Sequence, residues 1–329
     1  MLAVQLQRHA RPDLACAAVE VPEPGAPAPG EAVVAIRAAA INPADLLIFE
    51  GRYPGPEELP AFVGIEGAGE VVAVGEGVDL APGDHVLSLG RANWAEKVTG
   101  RAEQFIRIPK SLAWRDAAQL KANPPSAHLM LEDYIDLQPG DWVVQNAANS
   151  AVGRHIIRFA RARGLKTANI ARRPALIEEL SALGADVVVT DDGDVPAKIR
   201  AAAGAEAPIR LGIDAIGGDA TLALADTLSD GGTVVNYGFI SGEPCRMSSY
   251  HTVIHGLSLT GFWLVGYMRS TPRFEIEAMY AEMARAFEEG VLISPVEAEY
   301  TLAQTAEALA HAHAEGRGGK ILLTPNGPL

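Results

Sequence analysis

One stretch decides the fold of this 329-residue chain: Trp142-Val143-Val144-Gln145-Asn146-Ala147-Ala148-Asn149-Ser150-Ala151-Val152-Gly153. In it a short apolar run ends in a turn of small residues, and an apolar-periodic helix then opens at Val152. A second apolar strand, Thr167-Ala168-Asn169-Ile170-Ala171, follows the helix. The order strand, tight turn, helix, strand is typical of a βαβ unit, in which the turn and the helix N-terminus can bind a pyrophosphate.

Two arginines, Arg172 and Arg173, end the second strand. In a dinucleotide-binding unit this position meets the adenosine ribose, where a carboxylate would accept from a free 2′-hydroxyl and two cations suit a 2′-phosphate. The pair therefore favours NADPH over NADH. The usual G-x-G-x-x-G pattern is absent, because Gly153 is the only glycine of the turn. An ordinary βα loop followed by a solvated arginine pair is the alternative interpretation.

The composition excludes several classes of protein. The net charge of −14 disfavours nucleic acid as a partner, because phosphate binding requires a basic surface. No apolar run reaches the length of about 18 residues that a transmembrane helix needs, so no membrane partner is expected. The N-terminus shows no signal-peptide pattern. Two cysteines, Cys16 and Cys245, are too few for a disulfide framework or a four-cysteine zinc site, and they favour a cytoplasmic location.

The pattern of elements changes along the chain. Residues 1–110 contain short strand candidates punctuated by Pro and Gly, which suggests a barrel or sandwich. From about residue 115, helices alternate with single apolar strands, which is typical of a doubly wound parallel sheet. Helices are predicted at 115–122, 125–136, 152–163, 174–183, 194–203, 219–228 and 273–290, and strands at 141–145, 167–171, 186–189, 210–215, 232–237 and 257–261.

Four signposts, spread over much of the chain, carry a resemblance to a known family. They are Gly64-Ile65-Glu66-Gly67-Ala68-Gly69, Gly75-Glu76-Gly77-Val78, Pro82-Gly83-Asp84-His85-Val86 and Leu183-Gly184-Ala185-Asp186. Together with the order of a β-rich part, a nucleotide-binding part and a return to the first, they resemble the medium-chain dehydrogenase/reductase superfamily. The resemblance implies an α/β fold that combines a GroES-like β-rich catalytic domain with a Rossmann domain, a doubly wound parallel sheet.

The resemblance also implies domain boundaries. Residues 1–118 are expected to form the first part of the GroES-like catalytic domain, residues 119–267 the NADPH-binding Rossmann domain, and residues 268–329 the return to the catalytic domain.

Within the superfamily the chain most resembles the zinc-free 2-enoyl thioester reductases of the mitochondrial trans-2-enoyl-CoA reductase type. The segments that carry this are Ile41-Asn42-Pro43-Ala44-Asp45-Leu46 with Gly51-Arg52-Tyr53, Asn123-Pro124 before a helix, Gln145 to Gly153, and Gly261-Phe262-Trp263-Leu264. The Asn-rich turn and the Phe-Trp-Leu run discriminate best, because simple quinone reductases of the superfamily usually have a Gly-rich turn.

No metal is expected. Zinc alcohol dehydrogenases of the superfamily have His where this chain has Ile65, and their cysteine ligand of the preceding loop is replaced around Asn42. Without three N or S donors no catalytic zinc can be held, and an alkoxide is then poorly stabilised. Conjugate reduction of an activated double bond stays feasible, because the thioester or ketone delocalises the developing charge itself.

The resemblance implies a proton donor at Tyr53. NADPH would deliver hydride to Cβ of a 2-enoyl thioester, and Cα of the resulting enolate must then take a proton. A phenol stays protonated at neutral pH and can donate to an enolate. The alternative interpretation is a loop tyrosine that packs against Pro54 and Pro56.

Cofactor residues are carried over by motif. Asn123 is expected near the nicotinamide, Asn149 to Gly153 around the pyrophosphate, Arg172 and Arg173 at the 2′-phosphate, and Lys320 as a further phosphate contact. The nicotinamide and acyl pocket would be lined by Tyr237, Gly238, Phe239, Ile240, Phe262, Trp263 and Leu264, and the pyrophosphate residues are Asn149, Ser150, Ala151, Val152 and Gly153. Plain core packing is the alternative for the apolar residues, and a solvated surface lysine is the alternative for Lys320.

The chain departs from the family pattern at two places. The Arg-Asp-Arg after the second strand is shortened to Arg172-Arg173-Pro174, and Thr-Ala-Tyr after the Asn-Pro segment reads Ser126-Ala127-His128. His128 could be a second polar group near the reacting bond or a partly buried helix histidine. His311 and His313 lie two apart on a helix and do not make a metal pair.

The sequence is compatible with three functions. The first is NADPH-dependent reduction of a small-molecule 2-enoyl thioester, with a CoA thioester favoured over an acidic carrier protein because the surface is acidic. The second is a zinc-independent quinone or enone oxidoreductase, and the third is a non-catalytic NADPH-binding protein. Because superfamily members commonly pair edge strands, a homodimer through the 257–261 strand is also expected.

Overall fold

The computed structural model describes the whole chain, Met1–Leu329. The chain divides into two compact units, which are described separately below. Unit 1 combines Met1–Ala122 with Pro272–Leu329, and unit 2 is Asn123–Thr271. None of the helices combines the length and the apolar character that a membrane span requires.

Residues 1–122 are mainly β-structure. Their strands are β1 (Leu2–Leu6), β2 (Cys16–Glu20), β3 (Glu31–Ala40), β4 (Ala61–Phe62), β5 (Gly67–Val74), β6 (His85–Ser88), β7 (Lys97–Arg101) and β8 (Phe105–Arg107). The helices of this part are α1 (Pro12–Ala15), α2 (Pro43–Phe49), α3 (Trp114–Ala117) and a 3₁₀ turn at Ala102–Gln104.

Residues 123–271 alternate between helix and strand. Their helices are α4 (Asn123–Glu132), α5 (Ala151–Ala162), α6 (Leu176–Leu183), α7 (Val195–Ala203), α8 (Asp219–Ala225), α9 (Ser249–Val253) and α10 (Leu264–Ser270). Their strands are β9 (Trp142–Gln145), β10 (Lys166–Ala171), β11 (Val187–Thr190), β12 (Ile209–Asp214), β13 (Thr233–Asn236) and β14 (Ser258–Gly261).

The last part of the chain completes unit 1. It contains α11 (Arg273–Glu288), β15 (Val296–Tyr300), a 3₁₀ turn at Leu302–Gln304, α12 (Thr305–His313) and β16 (Lys320–Leu323). The larger sheet of this unit runs β15-β16-β3-β5-β6-β8, with β7 also paired to β3, and the smaller runs β2-β1-β4. All pairs are antiparallel except β15 with β16. The predicted β-rich catalytic domain is therefore confirmed, and the last strand, β16, lies beside β3.

The core of unit 1 includes an aromatic pair next to the predicted site. Phe49, the last residue of α2, stacks on Trp94 with ring centroids 5.8 Å apart, and both side chains are buried. Val4, Leu6 and Ile36 belong to the same buried cluster. The helix that precedes Tyr53 is thus anchored in the core by its C-terminal residue.

Unit 2 is built on one parallel sheet. Its strand order is β11-β10-β9-β12-β13-β14, and every pair is parallel. In sequence order this is 3-2-1-4-5-6, the order of the Rossmann fold. The chain reverses direction across the sheet between β9 and β12, and ligands of such sheets bind where the strands end at this switch point. The predicted Rossmann domain is confirmed.

One predicted helix is wrong over much of its length. The pattern predicts a helix over 115–122, but the observed helix ends at Ala117 and the chain turns before α4 begins at Asn123. After Ala117 the N–H groups of Gln119 and Leu120 donate to the carbonyl oxygens three residues earlier, those of Asp116 and Ala117, so the chain forms turns and the α-helix does not continue. The carbonyl oxygen of Lys121 instead accepts a hydrogen bond from the hydroxyl of Tyr280, at 2.9 Å.

Candidate active site

The predicted cofactor residues of unit 2 follow the carboxyl ends of its strands. The turn 146–150 follows β9, Arg172 and Arg173 follow β10, Tyr237 to Ile240 follow β13, and Phe262 to Leu264 follow β14. Because all strands run parallel, their carboxyl ends share one edge of the sheet. These segments therefore meet at the edge where a dinucleotide binds in this fold.

The turn after β9 is shaped for close approach to a ligand. Ala147 has φ of +46°, which is the left-handed region, and it is the only non-glycine residue of the chain there. Ser150 caps α5, and its Oγ accepts from the N–H of Gly153 at 3.1 Å. A Cβ at Gly153 would lie 2.6 Å from the carbonyl oxygen of Ala148, so only glycine lets the helix pack this closely on the turn.

The N-terminus of α5 can bind an anion. The first N–H groups of a helix have no partner within it, and the helix dipole favours negative charge there. Ala151 and Val152 are the first two residues of α5, and Asn149 and Ser150 lie just before them, half-buried. The residues present fit the pyrophosphate of a dinucleotide without the three-glycine pattern.

A buried carboxylate, Asp214 at the end of β12, holds this turn in place. Its Oδ1 accepts from Asn146 Nδ2 at 2.6 Å and from the N–H of Ile216 at 2.8 Å, and its Oδ2 accepts from Thr221 Oγ1 at 2.6 Å. Asn146 Oδ1 in turn accepts from the N–H of Ala215 at 2.8 Å. The turn after β9 is thereby fixed to the end of β12 across the switch point.

Asp214 stays ionised in this setting. Burial opposes its ionisation, but hydrogen bonds from Asn146, Thr221 and the N–H groups of Gly217 and Ile216 outweigh burial and lower its pKa. Sequence reasoning missed Asp214. The signal that could have found it is an acidic residue at the end of an apolar strand, followed by Gly217-Gly218. This place after β12 is equivalent to the turn after β9.

The two arginines lie at the end of β10. Arg172 and Arg173 are exposed and follow Ala171 directly, and the N–H of Leu176 donates to the carbonyl oxygen of Arg173 at 3.0 Å. Exposed guanidinium groups at the end of the second strand of a Rossmann unit are suited to a 2′-phosphate.

The segment after β13 packs tightly on the end of β12. A Cβ at Gly238 would lie 2.3 Å from the carbonyl oxygen of Ala215. Tyr237 hydrogen-bonds with the side chain of Ser150, and burial raises the pKa of the Tyr237 phenol to about 12. Phe239 and Ile240 are more than half exposed, at 54% and 59%. Exposed apolar side chains at this edge are available to a flat ring or an acyl chain.

The Phe-Trp-Leu run follows β14. The N–H of Phe262 donates to the carbonyl oxygen of Asn236 at 2.9 Å, and Leu264 begins α10. Trp263 is 42% exposed, and the guanidinium of Arg269 lies 5.5 Å from its ring centroid. The run is therefore not plain core, because its tryptophan is presented at the surface of unit 2.

Asn123 and His128 both belong to α4. Asn123 is the first residue of the helix and is buried. His128 is partly buried and contacts Phe159 of α5 edge-on, with ring centroids 5.7 Å apart. The structure thus gives His128 a packing contact between two helices of unit 2.

Tyr53 and Lys320 belong to unit 1. Tyr53 follows the end of α2, is partly buried and packs against the hydrophobic core of this unit. The carbonyl oxygen of the next residue, Pro54, accepts from Arg91 Nη2 at 2.7 Å. Lys320 is the first residue of β16 and is buried, with its ammonium donating to Asn42 Oδ1.

The positions at which zinc relatives bind metal hold a different arrangement. Asn42 Nδ2 donates to Glu66 Oε1 at 2.6 Å, and Ile65 next to Glu66 presents no donor atom. Burial raises the pKa of Glu66 against the opposing effects of the Lys320 ammonium and Asn42. No group of three or more His, Cys, Asp or Glu side chains in the structure could hold a metal ion. Burial lowers the pKa of the Lys320 side chain at this site, although the carboxylates of Glu66 and Asp45 oppose this.

A second lysine, Lys121, is partly buried and joins two loops nearby. Lys121 Nζ donates to the carbonyl oxygens of Ile65, Leu89 at 2.8 Å and Gly90 at 2.7 Å. Burial lowers the pKa of Lys121 to about 7, although the Glu66 carboxylate opposes this. The ammonium therefore ties the segment that contains Glu66 to the loop that precedes Arg91.

The two histidines of α12 have separate partners. His311 Nδ1 lies 2.9 Å from the hydroxyl of Tyr300, and its Nε2 lies 2.9 Å from Glu297 Oε1. His313 Nδ1 lies 4.0 Å from Glu50. The two side chains therefore contact different elements of unit 1.

Two family models match the chain. Residues 28–113 match the alcohol dehydrogenase GroES-like domain, and residues 151–285 match the zinc-binding dehydrogenase family. Together with the fold and the dinucleotide-binding edge, these matches define the class of protein. The chain belongs to the medium-chain dehydrogenase/reductase superfamily and is an NADPH-dependent oxidoreductase. Its relatives within the superfamily include mitochondrial enoyl reductases.

Individual relatives within the superfamily are enoyl reductases and quinone oxidoreductases. The chain is 37% identical over 267 residues to the mitochondrial enoyl-[acyl-carrier-protein] reductase of Caenorhabditis elegans, covering 78% of this chain and 76% of that enzyme. It also resembles the structure of the Etr1p/NADP/crotonyl-CoA complex, with a TM-score of 0.86 and 25% identity over 98% of this chain and 99% of that one. The Escherichia coli quinone oxidoreductase complexed with NADPH has a TM-score of 0.90 and 25% identity, covering 99% and 100%.

The predicted cytoplasmic location is wrong. Relatives from nematode, rat, human and Arabidopsis are all named mitochondrial enzymes. The prediction rested on Cys16 and Cys245 alone, and a low cysteine content indicates only that the fold does not need disulfides. It does not distinguish one reducing compartment from another.

Proposed function

We propose that this protein is an NADPH-dependent reductase of the C2=C3 double bond of 2-enoyl thioesters. The observation that carries the proposal is its likeness, along nearly the full length of both chains, to the Etr1p/NADP/crotonyl-CoA complex. Sequence identity of 37% to an enoyl reductase supports the same substrate class. NADPH, when bound, supplies the hydride that is transferred to Cβ of the thioester.

Unit 2 is proposed to hold the cofactor through the edge described above. The helix N-terminus at Asn149 to Gly153 binds the pyrophosphate, since the N–H groups of Ala151 and Val152 open α5 and have no acceptor within the helix. Arg172 and Arg173 bind the 2′-phosphate. Tyr237 to Ile240 and Phe262 to Leu264 border the nicotinamide and the acyl group, with Asn123 on the nicotinamide side. Lys320 as a phosphate contact stays a prediction, since its ammonium already contacts Asn42.

Tyr53 is proposed to protonate Cα. After hydride addition the negative charge is spread over Cα and the thioester oxygen, and a neutral phenol is an acid of suitable strength for this enolate. The tyrosinate that results takes a proton from water. Such general acid catalysis contributes about 10²–10⁴-fold to the rate.

The test is NADPH oxidation with crotonyl-CoA, a longer trans-2-enoyl-CoA and a quinone. Tyr53→Phe is expected to lower thioester turnover by about 10²-fold or more. The matched control is Tyr300→Phe, which removes a hydroxyl that contacts His311 and is expected to leave turnover unchanged. Equal rates in wild type and Tyr53→Phe would remove Tyr53 from the mechanism. Tight NADPH binding with no NADPH oxidation by any of the three acceptors would instead support the non-catalytic alternative.

The second candidate function is quinone or enone reduction. The Escherichia coli quinone oxidoreductase supports it, with a TM-score of 0.90 that exceeds the 0.86 of the enoyl reductase complex. Quinone reduction needs little proton donation by the protein. Turnover of quinone that ignores Tyr53→Phe, together with inert thioesters, would favour this function.

A CoA thioester is proposed as the substrate rather than an acyl carrier protein. The net charge of −14 would repel an acidic carrier protein at low ionic strength. The comparison of crotonyl-CoA with a crotonyl carrier protein tests this. A lower KM for the carrier-bound substrate at low salt would contradict it.

A homodimer is proposed through the edge of the unit 2 sheet. Strand β14 lies at that edge, and all four of its residues are exposed. Val253 and Ile254, just before it, are 75% and 59% exposed. A sheet edge beside exposed apolar side chains favours pairing with a second copy of the strand. The Etr1p/Etr2p heterodimer supports association in a related enzyme.

A further inference from the structure

A cluster of four buried polar side chains at the start of α2 is not used by the proposed mechanism. Asn42, Asp45, Glu66 and Lys320 are 5%, 1%, 0% and 7% exposed. They come from α2, the segment before β5, and β16, which are distant in sequence. Burying charged groups is costly unless each is paired and hydrogen-bonded. A cluster of this kind therefore fixes the geometry of the elements that contribute to it.

The amide of Asn42 joins the two charges. Its Nδ2 donates to Glu66 Oε1 at 2.6 Å, and its Oδ1 accepts from the ammonium of Lys320. The second oxygen of Glu66 accepts from the N–H of Ala122 at 3.1 Å. An amide is the side chain that can donate to a carboxylate and accept from an ammonium at once. The direction of each hydrogen bond is thus set by the residue type at position 42.

The same residue caps the helix that leads to Tyr53. The N–H of Asn42 donates to Asp45 Oδ2 at 2.8 Å, and Asp45 Oδ1 accepts from the N–H of Ile65 at 2.9 Å. At the other end of α2, the N–H of Arg52 donates to the carbonyl oxygen of Leu47 at 2.8 Å. Hydrogen bonds therefore run without a break from the buried cluster, through α2, to the residue before Tyr53.

We propose that Asn42 is a positioning residue for the proton donor: the Lys320–Asn42–Glu66 bridge sets the orientation of α2 and thereby the place of the Tyr53 phenol. This inference rests on the proposed function, in which Tyr53 protonates Cα. Asn42 acts through Tyr53 and touches no reacting atom. A shift of the phenol by about 1 Å would cost about 10²-fold in rate.

The decisive experiment compares a single variant with a double variant, and the double variant exchanges the donor and the acceptor of the hydrogen bond between residues 42 and 66. Asn42→Asp places a carboxylate against that of Glu66, and kcat is expected to fall by about 10–100-fold. Combining it with Glu66→Gln restores the bond in the opposite direction. The new carboxylate accepts from the new amide and still accepts from Lys320, while the amide oxygen still accepts from the N–H of Ala122. The double variant is expected to recover kcat to within about threefold of the wild type.

Two further readouts separate positioning from general damage. NADPH affinity, measured by fluorescence titration, is expected to stay within about twofold in Asn42→Asp, whereas kcat falls. In the Tyr53→Phe background, Asn42→Asp is expected to cause no further loss, because the group that it positions is already gone. Lys320→Gln replaces Asn42→Asp in this test if Asn42→Asp does not fold, because it keeps a donor for Asn42 Oδ1. Its kcat is expected to fall by about fivefold, and Tyr53→Phe is expected to mask this loss as well.

The outcomes divide clearly. Recovery in the double variant and masking by Tyr53→Phe support the inference. A folded double variant that stays slow, or losses that multiply with Tyr53→Phe, would overturn it. Failure of the proposed function is recognised separately, since wild-type protein would then reduce no thioester or Tyr53→Phe alone would be as fast as wild type.

Discussion

Asn146 and Asp214 are joined by a 2.6 Å hydrogen bond across the switch point of the Rossmann sheet. One residue follows β9 and the other ends β12, the two strands between which the chain reverses its direction across the sheet. Asp214 also accepts from Thr221 and from Asn236 Nδ2 at 3.1 Å. The cofactor turn, which has lost two of its three glycines, thus obtains its shape from a side-chain network.

Removing this network is expected to be costly. Asp214→Ala leaves several buried donors without an acceptor, and we expect the free energy of unfolding to fall by about 3 kcal/mol or more. NADPH binding should weaken as well, because the turn before α5 is released. Urea denaturation and fluorescence titration measure the two effects.

The matched control is Asp219→Ala. Asp219 forms an ion pair with Arg246 in which both side chains are more than half exposed, so its loss should change the free energy of unfolding by about 0.5 kcal/mol or less. Similar losses in the two variants would show that the Asp214 network does not stabilise the switch point.

Cofactor preference is expected to depend on the arginines after β10. Replacing both Arg172 and Arg173 by Ala should raise the KM for NADPH by about 10²-fold or more, because two charge-assisted hydrogen bonds of about 1.5–3 kcal/mol each would be lost. The KM for NADH should change little, since NADH has no 2′-phosphate. Steady-state kinetics with both cofactors provide the measurement.

Arg161→Ala controls for the loss of positive charge. Arg161 is exposed in the last turn of α5, away from the carboxyl ends of the strands, and its removal should leave the ratio of the two KM values unchanged. If the double arginine variant also leaves that ratio unchanged, the pair is a solvated surface feature.

The elements of unit 2 could be predicted because each carries a local signal. Apolar periodicity marks α5, and short apolar runs mark β9 and β10, so the predicted strands and helices between 141 and 261 lie within a few residues of their observed places, whereas the short helix α9 was not predicted. The helix over 115–122 failed because the side chains of Gln119 and Lys121 hydrogen-bond to distant carbonyl oxygens, those of Ser294 and Leu89, while the backbone forms turns, and periodicity does not register such contacts.

The buried cluster of unit 1 could not be predicted. Lys320 and Asn42 are 278 positions apart in the chain and meet only because β16 pairs with β3. A lone lysine near the C-terminus gives no local sign that it is buried. The sequence did show that Asn42 and Ile65 lack the nitrogen or sulfur donors of a catalytic zinc site, but the lysine that lies there became visible only through the sheet pairing.

The stability of the protein is expected to pass through a minimum near pH 7. Burial raises the pKa of Asp45 to about 7, against hydrogen bonds from the N–H groups of Asn42 and Ile65. Between about pH 4 and pH 7 the folded protein holds a proton that the unfolded chain has lost, so stability falls as pH rises. The pKa of Lys121 is lowered to about 7, so between pH 7 and about pH 10 the unfolded chain holds the extra proton and stability rises with pH.

Urea denaturation between pH 5 and pH 9 tests this assignment. Each proton contributes a slope of at most about 1.4 kcal/mol per pH unit. Asp45→Asn should make the acidic limb less steep, to which Glu66 also contributes, and Lys121→Met should make the alkaline limb less steep, to which Lys320 also contributes. A wild-type curve that is flat across this range would contradict the assignment.

The proposed dimer leads to a prediction about Val253 and Ile254. Replacing both by Glu is expected to convert a dimer to a monomer, because each apolar side chain buried at an interface contributes about 1.5–3 kcal/mol and a buried carboxylate adds a desolvation cost. Sedimentation velocity measures the change. Phe274→Glu is the matched control, since Phe274 is 69% exposed on α11 of unit 1 and lies outside the β14 edge. A wild-type protein that sediments as a monomer would contradict the dimer. A dimer that Phe274→Glu dissociates, while the Val253 and Ile254 double variant does not, would place the interface elsewhere.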